Sequence, residues 1–279
     1  MNNIIFKVHI PFGAGIGNTL KGFISGLSIN PNTKLECNPH YILGNFDSVL
    51  ENPHILLESD VKQCRIEQFS SCRWLILKSE ESIQKDCPYE YSNYNAVDLN
   101  NQKYAILFTP KVTIDHNYNR SFIHDTVYNR FIKAILSIKF KPIINNEVNK
   151  YNINFDTTLG ISVRTWTATH EHNIRREYSF DTYKNTIIQT ITKNPQINTI
   201  VLSVDNNNAE TQYTDFINTN YPHMNIIIYR ETIVNHLQYV IIKMLLLSKC
   251  GYFICNRIST FSELVFWFNE CRQEVIPLF

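Results

Sequence analysis

The stretch LGISVRTWTATHEHNIRRE, residues 159–177, decides how the fold is read. Its first six residues form an apolar run of strand length without in/out alternation, the pattern of a strand buried on both faces of a sheet. The run ends in Arg164, and His170, Glu171, His172, Arg175 and Arg176 follow within twelve residues. Arginine is rarely buried without a partner, so one at the end of a core strand predicts a bound anion or an ion pair.

The same pattern recurs downstream. NTIVLSV (198–204), MNIIIYR (224–230) and GYFICN (251–256) are further apolar runs of strand length. Between and after the strands lie SFDTYKNTIIQTITK, NAETQYTDFINTN, ETIVNHLQYVIIKMLLLSK and STFSELVFWFNECR, which have helical length and period. Strands alternating with helices predict a parallel sheet covered on both faces. The N-terminal half opens in the same way, with IIFKVHI, the turn PFGAGIGN and the helical TLKGFISGLSI. HYILG, HILLE, CRWLILK and YAILF read as further strands, and SFIHDTVYNRFIKAILSIKF (121–140) reads as an amphipathic helix. The polar, Asn-rich stretch that follows reads as a linker. The expectation is an α/β chain of two Rossmann-like domains, 1–140 and 158–279, joined by residues 141–157, with a cleft between them.

Composition bounds the function. A chain of 279 residues that is 44% hydrophobic can bury a sizeable core, and its net charge of +1 provides no bulk field for nucleic acid or an anionic membrane. An anion must therefore be bound locally. Seven cysteines (37, 64, 72, 87, 250, 255 and 271) form no CxxC pair, and their odd number suits free thiols in a reducing compartment. The N-terminal residues lack a signal-peptide pattern, and the most apolar run, YVIIKMLLLS, is broken by Lys243 and is shorter than the ~20 residues of a membrane helix. A cytoplasmic protein is expected, with no nucleic-acid or membrane partner.

In open parallel sheets, ligands bind outside the carboxyl ends of the strands, where helix N-termini present unpaired N–H groups. Those positions hold Arg164, Asp205, Arg230 and Asn256, the last leading through Arg257 to Ser259, Thr260, Phe261 and Ser262 at a helix start. The first turn of the N-terminal half adds Gly13, Gly15, Gly17 and Asn18. A guanidinium, hydroxyls and helix-start amides, with glycines opposite, make a cradle for a diphosphate. Each element also has a plain reading: the glycines as close helix packing, and Ser259 and Ser262 as N-caps. His170, Glu171 and His172 do not form HExxH and have no third ligand nearby, so no metal site is expected. Neither a Walker A motif nor a D-x-D triplet is present, which argues against an NTPase and against a metal-held sugar nucleotide. A diphosphate neutralised by arginine and helix dipoles requires no metal.

Four segments carry a resemblance. FGAGIGNTLKGF resembles the G-x-G-N/D-x-L opening of the fucosyltransferase-like enzymes of GT-B type, which include the N-glycan core, nodulation and protein O-fucosyltransferases. ISVRTWTATHEH resembles their H-x-R-x-x-D region, IVLSVDNN their strand–Ser/Thr–Asp motif, and FICNRISTFSELV the segment at their donor pocket. The resemblance implies two Rossmann-like domains, the first on the acceptor side and the second on the donor side. It implies Arg164 as the phosphate arginine and Glu171 as general base, and it brings Ser259 to Ser262 to the phosphates and ribose. Ser162 stands where the family has histidine, and Thr165 and Trp166 follow Arg164 in place of a second basic residue. The donor base is therefore left open between a UDP-sugar and a GDP-sugar. Size and texture are also similar to compact glycosyltransferases of large algal viruses. That similarity implies transfer of xylose, or next fucose, to a hydroxyl of a viral capsid N-glycan.

An inverting transfer needs a base for the acceptor hydroxyl, stabilisation of the leaving diphosphate and exclusion of water. His170 and His172 are alternatives to Glu171 as base. Trp166 is the candidate acceptor platform, and core packing is the competing reading for it. Two rival functions stand beside this one. A Rossmann oxidoreductase would use the glycines and Glu36, but the G-x-G-x-G spacing departs from G-x-G-x-x-G and leaves residues 164–172 unexplained. The other rival is a non-catalytic nucleotide- or glycan-binding protein of the same fold.

Overall fold

The computed structural model describes residues 4–9, 15–37, 44–70, 97–99, 102–104, 118–123, 125–165, 178–230, 234–257 and 259–278. They divide into two units, Met1–Asn146 with Ile233–Ile241, and Glu147–Thr232 with Ile242–Phe279.

The first unit centres on strand β1 (Ile4–His9), which runs parallel between β2 (Lys34–Leu35) and β3 (Arg65–Ser70). Helix α1 (Ile16–Ile29) buries Ile16, Leu20, Phe23, Ile24 and Leu27, a stripe at the 3.6-residue period. It sits close to the sheet because residue 26 is glycine. A Cβ there would lie 2.6 Å from Thr33 Cγ2 and 3.3 Å from Val8 Cγ2. The expected amphipathic helix is present as α3 (Asp125–Ser137) and packs on α1. HILLE departs from expectation: Ile55 makes a single parallel bridge to Leu35, and Glu58 opens helix α2 (Glu58–Gln63). The Asp60 carboxylate accepts from Leu57 N–H at 3.1 Å and so starts that helix where an extended strand would have continued. A small hairpin, β4 (Val97–Leu99) with β5 (Gln102–Tyr104), completes the described strands of this unit.

The stretch 141–157 carries helix α4 (Pro142–Asn149), with proline at its first position, and a 3₁₀ turn over Phe155–Thr157. The second unit is a five-stranded parallel sheet in the order β10-β9-β6-β7-β8. Its strands are β6 (Thr158–Val163), β7 (Thr199–Val204), β8 (Asn225–Ile227), β9 (Tyr252–Asn256) and β10 (Glu274–Leu278). Its helices are α5 (Phe180–Lys193), α6 (Asn207–Asn220), α7 (His236–Leu247) and α8 (Thr260–Phe268). One sheet face, with Leu159, Ile161, Val163, Ile200, Leu202 and Val204, packs against Tyr183, Ile187 and Ile191 of α5 and Tyr213, Phe216 and Ile217 of α6. On the other face Gly160 meets the end of α7, where a Cβ would lie 3.1 Å from Leu247 Cδ2.

Two boundaries differ from the sequence reading. Helix α7 starts at His236 because Asn235 and Gln238 cap each other reciprocally, at 2.9 and 3.0 Å. Residues 274–278 form an edge strand that the sequence reading left unassigned. Pro277 argues against a central strand, but it is tolerated at the sheet edge.

Candidate functional site

The strand order fixes where a ligand can enter the second unit. From β6 the chain steps outward through β7 to β8, and then returns to place β9 and β10 on the other side of β6. The order reverses between β6 and β9, and in open α/β sheets the crevice outside such a point is the binding site. The strands also part there. Their ladder ends at Ile161↔Ile254, leaving Ser162 and Val163 unpaired with Cys255 and Asn256. The flanking ladders run on, to Val163↔Val204 on one side and Leu278↔Asn256 on the other. Arg164 stands at one lip of this opening, and Asn256, Arg257 and Ser259 stand at the other.

The β6 lip is held by side chains on neighbouring elements. The fully buried Tyr183 of α5 donates its hydroxyl to Ser162 O at 3.1 Å and accepts from the backbone N–H of Arg164. Burial pushes the Tyr183 phenol far above its ordinary pKa, so it stays a neutral donor. One residue further, Thr165 N–H meets Asp205 Oδ1 and Oδ2 at 3.0 and 3.1 Å, and the Thr165 hydroxyl donates to Oδ1 at 2.6 Å. Asp205, expected at the donor, thus clamps the turn that carries Arg164. Arg230 is already matched: Glu210 Oε1 accepts from its Nε at 2.8 Å and lies 2.7 Å from Nη2.

The β9 lip is built differently. Ser259 occupies the N-cap position of α8 (φ −86°, ψ 122°), but its side chain makes no capping hydrogen bond. The first-turn amides of α8, which have no intrahelical partner, therefore receive no cap from Ser259. Thr260 and Phe261 are half-buried in that turn. Ser262 is fully buried, and its side chain lies within hydrogen-bonding reach of the Cys255 thiol. Glu263, also in the first turn, is buried, a placement of negative charge that the helix dipole favours.

In the first unit, Gly15 is the N-cap of α1, again without a side-chain cap. Its φ of −68° is open to any residue, and a Cβ there would meet nothing within 4 Å. Gly17 is buried. Asn18 is half-buried, and its Oδ1 has no hydrogen-bond partner among the described residues. Gly13, Trp166, His170, Glu171 and His172 lie outside the described residues. Among those described, no group of three His, Cys, Asp or Glu side chains could hold a metal ion, and no helix is long and apolar enough to cross a membrane.

Tyr183 and Lys243 are the contributors that the sequence reading did not place here. Tyr183 reads as core because it shares a stripe with Ile187 and Ile191. The usable signal is a hydroxyl-bearing aromatic in the first turn of the helix that follows a site strand.

No protein-family model matches the chain, and no curated protein matches it in sequence. Its three-dimensional structure does have solved counterparts. The α-1,6-fucosyltransferase NodZ, in crystals soaked with GDP-fucose, aligns over 100% of this chain and 95% of its own, with a TM-score of 0.55 and 12% identity. NodZ from Bradyrhizobium, in a separate crystal structure, aligns over 95% and 93%, with a TM-score of 0.53 and 11% identity. POFUT1 in complex with GDP aligns over 99% of both chains, with a TM-score of 0.50 and 9% identity. The architecture is the GT-B-type α/β fold of these fucosyltransferases, matched along nearly the whole chain.

Proposed function

We propose that the chain is an inverting, metal-independent glycosyltransferase that moves a sugar from a nucleoside-diphosphate donor to a glycan hydroxyl. The observation that carries this reading is the β6/β9 opening, with an arginine at the end of one strand and, after the other, a helix start that its N-cap serine does not cap. A diphosphate suits both, through the planar fork of the guanidinium and through the amides that Ser259 leaves uncapped. The solved counterparts support the donor class, since one was soaked with GDP-fucose and another holds GDP.

In this reading residues 158–279 take the donor and residues 1–140 the acceptor. Arg164, Arg257, Ser259, Thr260, Phe261 and Ser262 hold the nucleotide, and Asp205 holds the turn that presents Arg164. Gly13, Gly15, Gly17 and Asn18 leave room for the sugar nucleotide. Trp166 carries the acceptor. The acceptor oxygen attacks the anomeric carbon as the bond to the β-phosphate oxygen breaks. The electron pair leaves with the nucleoside diphosphate, and Glu171, or failing it His170 or His172, takes the hydroxyl proton. Donors aimed at such a leaving group are commonly worth about 10²–10³ in rate each. Xylose is the favoured sugar, with fucose next, and the acceptor is a viral capsid N-glycan made in the cytoplasm. The similarity of size and sequence texture to compact algal-virus glycosyltransferases supports the sugar and acceptor, and the odd cysteine count without a CxxC pair supports the cytoplasm.

Thermal unfolding with UDP, GDP and NAD tests the reading in one experiment, with EDTA present throughout. A specific ligand at a hundred times its Kd adds about 2.7 kcal/mol to stability. UDP or GDP should raise the Tm without metal, and NAD should not. A shift with NAD alone would make the chain an oxidoreductase. A nucleoside-diphosphate shift without hydrolysis or transfer of any sugar nucleotide would leave a binding protein.

A further inference from the structure

Lys243 lies in the apolar helix α7, among Ile241, Ile242, Met244 and Leu246, and is itself 7% exposed. A methionine would fill that space without removing a charge from water, so an ammonium there needs a reason. Its surroundings supply one. Lys243 Nζ donates to Val204 O at 2.9 Å, the last carbonyl of β7. The next residue along β7 is Asp205, whose carboxylate grips Thr165, and Thr165 adjoins Arg164. The charged groups that face the ammonium are Glu210, from the first turn of α6, and Asp205. Glu210 also holds Arg230. Two cations and two carboxylates therefore balance around the carboxyl end of β7.

We propose that Lys243 is a positioning residue of the donor site, its ammonium fixing the end of β7 and Asp205 from below, so that Asp205 can hold the turn presenting Arg164. What Arg164 holds rests on the function proposed above; the chain Lys243–Asp205–Thr165 does not. Asp205, although exposed, meets both the amide and the hydroxyl of Thr165. Burial pulls the Lys243 pKa below the ordinary lysine range, while Glu210 and Asp205 push it back up.

The test uses the full chain and two readouts, the ¹H–¹⁵N signal of the Thr165 amide and the affinity for UDP and GDP. In Lys243→Met the Thr165 proton should move upfield, and affinity for whichever nucleotide binds should fall by about tenfold, a coupling typical of directly linked residues. Asp205→Asn should do the same, and the double variant should lose no more than the larger single loss. A folded Lys243→Met variant with an unmoved Thr165 amide, or losses that simply add, would overturn the proposal. If Lys243→Met does not fold, the wild type decides. Its Thr165 signal should titrate at alkaline pH below the ordinary lysine range as the ammonium deprotonates, and the absence of such a step overturns the proposal. If the wild type binds neither nucleotide, the donor reading fails while the Thr165 signal still reports on Lys243.

Discussion

The two lips of the β6/β9 opening are made in opposite ways. The β6 lip is held from three sides: Tyr183 from α5, Asp205 from the end of β7, and Lys243 beneath it from α7. The β9 lip is built without such ties at its helix start, where the Ser259 side chain makes no cap of α8. One lip has its polar groups satisfied by the fold, so it presents Arg164 in a set orientation. The other leaves the first-turn amides of α8 without a cap from Ser259, and polar groups left without a partner cost about 1–3 kcal/mol each when buried. Such a cost is ordinarily retained where a ligand relieves it. A preorganised cation beside an unsatisfied helix start is the arrangement expected of an anion site, and it predicts that substitutions on the two lips fail differently.

The largest effect belongs to Arg164→Lys. The charge remains, but the planar two-point fork is lost. Turnover should fall by about 10²–10³, with nucleotide affinity falling alongside it. Stability should fall by less than turnover does, because Tyr183 and Asp205 hold the lip on either side of Arg164. If the variant binds nucleotide as the wild type does, Arg164 is structural and the anion is held elsewhere. Tyr183→Phe comes next and strikes the support rather than the contact. It removes one buried hydroxyl that serves both Ser162 O and the Arg164 N–H, at a cost of about 1–3 kcal/mol in urea unfolding at an unchanged m value. Nucleotide affinity should drop several-fold at temperatures where the variant is fully folded. Lost stability with unaltered affinity would make Tyr183 a core residue only, and the β6 lip would not be preorganised from α5.

The second unit was legible in the sequence because its strands are buried on both faces. LGISVR, NTIVLSV and GYFICN have no alternation to obscure them, and each coincides with a strand, give or take a residue. The edges were harder to read. MNIIIYR contributes only Asn225–Ile227 to the sheet, and β10 carries a proline that an edge alone can accept. HILLE misleads because its apolar residues belong to a bridge and a turn whose course Asp60 decides locally. At the site, strand ends identified Arg164, Asp205 and Ser259 as residues of interest. The division of labour among them follows from contacts between residues 40 positions apart, such as Thr165 with Asp205, which no local pattern encodes. Lys243 illustrates the same limit. In sequence it is an interruption of an apolar run, and only the register of α7 over the sheet brings it to Val204.

The smallest effect separates the lips most cleanly, because the chain contains its own control. Asn206 caps α6 in the ordinary way, its side chain accepting from Asn208 N–H at 2.9 Å and Ala209 N–H at 3.2 Å. Ser259 sits at the equivalent position of α8 and accepts from neither first-turn amide. Asn206→Ala should therefore cost about 1 kcal/mol, the usual loss for a working cap. Ser259→Ala should leave stability within about 0.5 kcal/mol, since there is no bond to lose. Binding should rank the other way. Ser259→Ala should weaken UDP or GDP several-fold by removing a hydroxyl donor at the phosphates, a change of about 1 kcal/mol. Asn206→Ala, at the start of a helix that does not face the β6/β9 opening, should leave affinity nearly unchanged. Equal stability losses in the two variants would mean that Ser259 caps α8 in solution. The first turn of α8 would then be closed, and Arg164 would have to hold the diphosphate without it.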